Sequence, residues 1–498
     1  MRWLHFVLLI MLLPCKTIKA NEIDTYVNEV LQEKGISPSG KCSDESFIRR
    51  TYLVTTGKVP SIQEVKNYLK DNDTNKRSKL INKLLASNEY IDFQALKWGD
   101  LLRIKSEFPS NLWPNAVQAY NRWVRVSIRE NKPYNQFVRE LLLSSGSNFR
   151  SPEVNFYRAF QSKTAKNIAA NVSLLFLGTR NSDSALSVFF SQIKYKPTEE
   201  WKEEIVYNEN DITSQIHEVV MPDGTTIELP RNNDFRVPFV NWLTSPTNTQ
   251  FAEVMVNRIW YWLMGTGIVQ QPDDFRASNI PSNPKLLKYL ANELVTHQFD
   301  LQYIFRLILN SNTYQRSSET NANNIRDNKY FSHYPLQRLT AEEIIDAIGT
   351  ISGINDTYMS RVPEPFTYLP AESGAINIGD GSISSTSLEM YGRASRDVSF
   401  ESDRNNAPST KQALFLLNSP QINDKIKNSK TLKGITDNAT DVNNLIDNMY
   451  LLILSRYPTK NESQILNEYV TNNKLNKNQL SNDLVWSLLN TREFILNH

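Results

Sequence analysis

Through most of the chain apolar residues recur three and four positions apart, the spacing by which a helix buries one face. The runs "AVQAYNRWVRVSIREN", "AKNIAANVSLLFLG", "TQFAEVMVNRIWYWLMGTG", "PKLLKYLANELVTHQ", "LQYIFRLILNSNTYQ", "VNNLIDNMYLLILSRYP" and "NDLVWSLLNTREFILNH" all follow it. Three further helices announce their starts. Ser61 with Glu64, Thr340 with Glu343 and Thr459 with Glu462 stand at capping-box spacing, where each side chain satisfies the other's free backbone N–H. One stretch departs from this period: "SQIHEVVMPDGTTIELP", residues 214–230, reads as two extended arms around a Pro222-Asp223-Gly224 turn. Residues 355–404 are irregular and rich in Gly, Ser and Pro, and a segment that long is commonly functional or mobile. The pattern predicts a mainly α, multi-helical protein: two helical domains, 21–205 and 236–498, with a small β-ribbon and linker over 206–235.

The first twenty residues read differently. Arg2, the apolar stretch Phe6–Leu13, Pro14 and a small residue at Ala20 have the form of an export signal. Eight apolar residues are too few to span a bilayer, which takes about twenty. The mature chain is therefore expected to be exported, periplasmic or at the cell surface, without a transmembrane segment. Lipidation at Cys15 is the weaker alternative, because proline directly precedes it. Removing Arg2, Lys16 and Lys19 takes the net charge from +2 to −1, which is no footprint for nucleic acid. Only Cys42 remains, so no internal disulfide can form.

Candidate chemistry is sparse. His217, His297, His333 and His498 lie in no zinc-ligand pattern, and neither a phosphate-binding loop nor a G-x-S-x-G elbow occurs. Neither a metal site nor a cofactor is expected. The densest cluster is "NRIWYWLMGTGIVQQPDDFR", residues 257–276. Asn257 and Arg258 interrupt an apolar helix and would be buried at a cost unless partnered. Asp273, Asp274 and Arg276 follow closely enough to be the partners. Asp273 and Asp274 are the weak catalytic candidates, as a carboxylate pair for acid–base work or for a hard cation such as Ca²⁺; the alternative is an Arg–Asp network that pins the loop. A second cluster, "GRASRDVSFESDR", offers Arg393 and Arg396 as candidates for an acidic glycan or carboxylate, although its alternating signs favour mutual pairing. Arg258 and Arg276 complete the candidate binding set. Trp98, Trp123, Trp260 and Trp486 fall in helical apolar patterns and are expected in the core.

Several of these stretches resemble a known pair of families. "SFIRRTYLVTTGKVPSIQEV", "LKWGDLLR" and "NKPYNQFVRELLLSSGSNFRSPEVNFYR" resemble the planctomycete-type PSCyt2 domain. "NRIWYWLMGTGIVQQPDDFRASNIPSNPKLLKYLANELV", "SNTYQRSS", "RLTAEEIIDAI", "QALFLLNS", "LSRYPTKNE" and "LVWSLLNTREFILNH" resemble its companion, PSD1. Both are domains of unknown function, and the resemblance implies an exported bacterial protein of a cytochrome-associated family. It transfers no catalytic residue. After the phrase matching Phe176–Arg180, relatives carry a C-x-x-C-H segment, similar to a haem attachment site; here Asn181-Ser182-Asp183-Ser184 stand instead, without cysteine or histidine.

Three functions are compatible with these features. The first is an exported, cofactor-free protein that binds a partner protein or a glycan in the cell envelope. The second is a hydrolase of a polysaccharide or sulfated glycan using the Asp273/Asp274 loop. The third is a degenerate relative of haem-binding electron-transfer proteins. An open cleft on Asp273, Asp274 and Arg396 would favour a glycan binder or an enzyme, and a filled, salt-bridged junction a scaffold.

Overall fold

The computed structural model describes residues 21–179, 184–209, 217–229, 233–360, 362, 369–370, 372–404 and 407–498. The expected export signal, Cys15, and residues Arg180 to Asp183 of the turn after "LLFLGT" lie outside them. The protein is mainly α-helical, as the periodicity predicts. The helices that frame the central region are α1 (Asn21–Glu33), α2 (Asp44–Thr56), α3 (Asn88–Leu101), α4 (Ala165–Leu177), α5 (Thr249–Met264), α6 (Pro284–Thr296), α7 (Ala341–Ser352), α8 (Val442–Leu454) and α9 (Lys477–Leu489). All three expected capping boxes form, each with both of its hydrogen bonds.

The expected β-ribbon is present within 217–229. Strands β4 (His217–Val220) and β5 (Thr226–Leu229) pair antiparallel, Val219 opposite Ile227, and the Asp223 carboxylate accepts the Thr225 N–H across the turn. Two further sheets have no signal in the apolar pattern. In the first, β3 (Glu204–Asn208) lies between β1 (Gly146–Ser147) and β2 (Ile193–Pro197), all antiparallel. In the second, β6 (Gln337–Arg338) pairs with β7 (Leu496–Asn497), so the C-terminus ends as a strand where the apolar period suggests continued helix. Trp486 also departs from expectation. The face of α9 that packs inward carries Leu480, Leu484, Val485, Leu488 and Leu489, which leaves Trp486 off that stripe and 42 % exposed. Trp98 and Trp260 are buried, and Trp123 packs half-buried on the core.

The buried apolar residues form two main cores. The larger runs from Ile23 to Tyr334 with Leu451, and thus draws on both sides of the 206–235 connection. The smaller joins Leu53 and Val59 of the N-terminal region to residues 339–494. Helix α2 reaches both. Its residues Phe47 to Thr56 are all buried, Phe47 and Ile48 in the larger core and Leu53 in the smaller.

Two adjacent arginines on α2 bind those regions to the end of the chain. The Arg49 guanidinium donates to the carbonyls of Ile453 (2.9 Å) and Phe494 (3.0 Å). Arg50 donates to Tyr314 O (2.7 Å), Arg316 O (2.9 Å) and His498 O (3.2 Å), with its guanidinium 3.6 Å from the Tyr334 ring centroid. Both side chains are buried, so the carbonyls they meet supply the acceptors that a buried guanidinium requires. The irregular 355–404 stretch is likewise tied down in its described parts: Asp346 of α7 accepts the backbone N–H groups of Ala375 (2.5 Å) and Ile376 (3.1 Å), and Asp380 accepts that of Ser106 (3.0 Å). Replacing Arg50 with alanine would leave three carbonyls without their donor; it is expected to cost about 3 kcal/mol or more, read as a lowered urea midpoint.

Candidate functional site

The site is built outward from Arg258. Helix α5 is apolar nearly all round because it runs through the larger core, and Asn257 and Arg258 sit at its fully buried middle. Each is answered by main chain. Asn257 exchanges hydrogen bonds with both backbone groups of Val269, donating to the carbonyl at 3.2 Å and accepting the N–H at 2.9 Å. Arg258 donates to Leu175 O near the C-terminus of α4 (3.3 Å) and to Asp273 Oδ1 (2.8 Å). The other oxygen of Asp273 accepts the backbone N–H of Glu401 at 2.8 Å.

The end of α4, where the apolar run stops at Gly178, is therefore occupied by protein. Leu177 O accepts from the Gln250 amide (2.7 Å), and Phe275 N donates to Gly178 O (2.8 Å). Gly178 has φ +63, and a Cβ there would lie 2.7 Å from the Phe275 ring, so glycine is required twice over. Haem attachment would need a pair of thiols; the described residues hold Cys42 alone, buried, and the site does not fit a haem.

Asp273 and Asp274 do not share a site. Asp274 turns to Arg276, which is 67 % exposed and holds both its oxygens at 2.5–3.0 Å. Asp273 faces inward to Arg258. Arg393 and Arg396 are fully engaged as well. Arg396, with no exposed surface, donates to Asp100 Oδ1 (2.9 Å) and to the carbonyls of Ile104 (3.0 Å) and Gly379 (2.7 Å). It passes against Gly99 of α3, where a Cβ would come within 3.0 Å of the guanidinium. Arg393 pairs with the buried Glu342 (3.3 Å), and Arg404 bridges Glu342 (2.7 Å) to Asp100 (2.6 Å). Burial works against the Glu342 carboxylate, but Arg404 and Arg393 hold its pKa down at about 2. Of the candidate residues read from sequence, Arg258 and Asp273 meet, Arg393 and Arg396 join one neighbouring network, and the buried Asp274 pairs apart from both with the exposed Arg276.

Beside this filled junction a cavity of about 330 Å³ opens between α3, the end of α5, residues 335–340, the first turn of α7 and the 401–404 turn. Its wall carries Lys97, Glu343, Glu401, Arg338, Arg404 and the Trp262 ring. Glu401 Oε1 accepts the Trp262 indole N–H at 2.8 Å and lies 3.8 Å from Arg258 Nε. Burial, and then the negative charge of Asp273, push its pKa up to about 7. Burial also raises Glu343, although the Thr340 backbone N–H donates to it at 2.6 Å. Lys97 is lowered by burial against the opposing pull of Glu401 and Glu343, and its ammonium lies 4.5 Å from the Phe93 ring centroid. Sequence reading named Glu343 only as a cap and passed over Lys97. A lysine inside the otherwise buried run of α3 was the available signal. Among the described residues no group of three His, Cys, Asp or Glu side chains is gathered as for a metal ion.

The raised Glu401 gives the fold a pH dependence of definite sign. The folded state holds this proton more tightly than the unfolded chain, so the contribution is full below about 4.5 and is lost as pH rises through about 7. Replacing Glu401 with glutamine is expected to flatten the fall in stability between those values by roughly 1–3 kcal/mol, measured as urea midpoints of both proteins across that range.

Residues 22–220 match the family model PSCyt2, Protein of unknown function (DUF1549), and residues 235–470 match PSD1, Protein of unknown function (DUF1553). No curated protein and no solved structure is detectably similar to the chain. The two matches follow one another in this order, so the chain carries a PSCyt2 match in its N-terminal part and a PSD1 match in its C-terminal part.

Proposed function

We propose that the chain is an exported binding protein of the cell envelope that takes a saccharide unit in the cavity beside Glu401. The observation that carries this reading is the cavity itself. A space of about 330 Å³ is at the small end of ligand sites and suits a sugar ring better than a protein segment. Its wall mixes the Trp262 and Phe93 rings, on which a sugar's C–H face can lie, with carboxyl and ammonium groups suited to its hydroxyls. The exposed rings of Phe108 (65 %) and Trp201 (63 %), with Lys202 4.1 Å from the Trp113 ring, offer an extended glycan a second foothold. Export rests on the form of residues 1–20, and the absence of cysteine and histidine at 181–184 speaks against a haem-based activity.

Leu336, 58 % exposed, stands at the rim. Leu336→Trp should obstruct the cavity without touching either core. Galactose titrated into the protein and followed by tryptophan fluorescence should bind the variant at least ten-fold more weakly; equal affinities would move the ligand elsewhere.

One observation favours hydrolysis as a second reading: two carboxyls, Glu343 and Glu401, both raised by burial, line the same cavity. Such a pair can divide into acid and base. The Asp273/Asp274 loop is less suited, because Arg258 and Arg276 engage those carboxylates. If the reading is right, reducing-sugar release from envelope polysaccharide falls at least 100-fold in both Glu343→Gln and Glu401→Gln; release that survives either change removes that carboxyl from the chemistry.

A further inference from the structure

We infer that the cavity recognises its ligand through an oxyanion, a carboxylate or sulfate ester on a sugar-sized body, held by Arg338 with Lys97 beside it. This rests on the cavity reading above and deepens it.

The first observation is the unanswered guanidinium of Arg338. Its Nε and Nη1 are shielded from solvent and have no hydrogen-bond partner among the described residues. Burying such donors unpaired is costly, and the other arginines of this region do not do so to the same degree. Arg258, Arg396 and Arg404 each spend most of their N–H groups on carbonyls and carboxylates. Arg338 makes no side-chain hydrogen bond among the described residues, and its guanidinium lies 5.8 Å from the Tyr391 ring centroid. Its backbone is fixed, since Arg338 pairs with Leu496 in β6–β7. A guanidinium on a fixed strand, lining a cavity and without a carboxylate partner among the described residues, is suited to an oxyanion.

The second observation is the lysine. Lys97 has no carboxylate within ion-pair distance among the described residues, and its ammonium rests by the Phe93 and Trp262 rings at 4.5 and 5.4 Å. The third cation, Arg404, is already committed to Asp100 and Glu342. The cavity thus holds two cations without carboxylate partners. Of the three carboxyls on its wall, Asp100 is neutralised by Arg396 and Arg404, and burial raises the pKa of Glu343 and Glu401, which weakens their repulsion of an anion. An anion entering this space meets the donors of Arg338 and Lys97.

Three probes sharing one body test this: galacturonic acid, galactose 6-sulfate and galactose, titrated calorimetrically into the wild-type chain and into Arg338→Gln, Lys97→Gln and Leu336→Trp. The expected result is that at least one acidic sugar binds ten-fold or more tighter than galactose. Arg338→Gln should bring that sugar down to the galactose level with galactose affinity unchanged, which also shows that the variant is folded. Lys97→Gln should reduce the preference by a smaller factor, and the ratio of the two acidic sugars separates carboxylate from sulfate. Equal binding of all three sugars, or an Arg338→Gln protein that keeps the preference, overturns the inference; if Leu336→Trp still weakens galactose in that case, the cavity reading survives it. Binding of none of the three overturns the inference outright.

Discussion

The structure depends on guanidinium groups buried against main-chain carbonyls. Arg49, Arg50, Arg236, Arg258 and Arg396 are among the largest fully buried side chains. An arginine cannot shed its charge, so burial is tolerable only where acceptors are already in place. Here the acceptors come from far along the chain: Arg49 takes carbonyls of residues 453 and 494, Arg50 those of 314, 316 and 498, Arg236 that of Ser144, and Arg396 those of 104 and 379. None of these bonds can form until distant segments have docked. A half-assembled set leaves charge in an apolar interior, and that makes the assembly cooperative. It also explains how a chain with no disulfide among its described residues can hold a long irregular stretch in place.

The same constraint separates the filled junction from the cavity. At the junction charges are matched: Arg258 with Asp273, and Arg396 and Arg404 with Asp100 and Glu342. At its edge the matching stops. Glu401 stands on the boundary. Its backbone N–H is held by Asp273 inside the network, and its carboxyl projects to Trp262 at the cavity wall. The network sets where Glu401 sits, and the negative charge of Asp273 helps raise its pKa. A group whose ionisation is opposed by its own scaffold is suited to proton exchange or to donating a hydrogen bond, and little suited to structural pairing.

What could be read from the sequence follows the range of each interaction. Helices, their capping boxes and the 217–229 hairpin are written in patterns a few residues long, and these were legible. So was the need for Arg258 to find a carboxylate nearby, which it does fifteen residues on, at Asp273. The cavity was not legible, because its wall joins residues near 97, 262, 338, 343 and 401, which no local period connects. The strand at 496–497 was hidden for a related reason: its partner is β6, some 160 residues earlier, and Arg49 and Arg50 of α2 hold the flanking carbonyls. Trp486 shows the limit of apolar periodicity, since an aromatic one position off the buried stripe of α9 looks core-like in sequence and is exposed in space.

The family boundary and the packing boundary do not coincide, and this bears on where a ligand site can arise. PSCyt2 ends at 220 and PSD1 begins at 235, yet the larger core draws on residues from both, and α2 of the first domain carries Leu53 into the core of the second. The cavity lies across this shared ground: Val54, Lys97 and Asp100 come from the PSCyt2 part, Trp262, Glu343 and Glu401 from the PSD1 part. Neither domain alone encloses that space or brings Lys97 beside Glu401. A pocket built this way exists only when the two are packed together, which gives a physical reason for the two domains to occur in one chain.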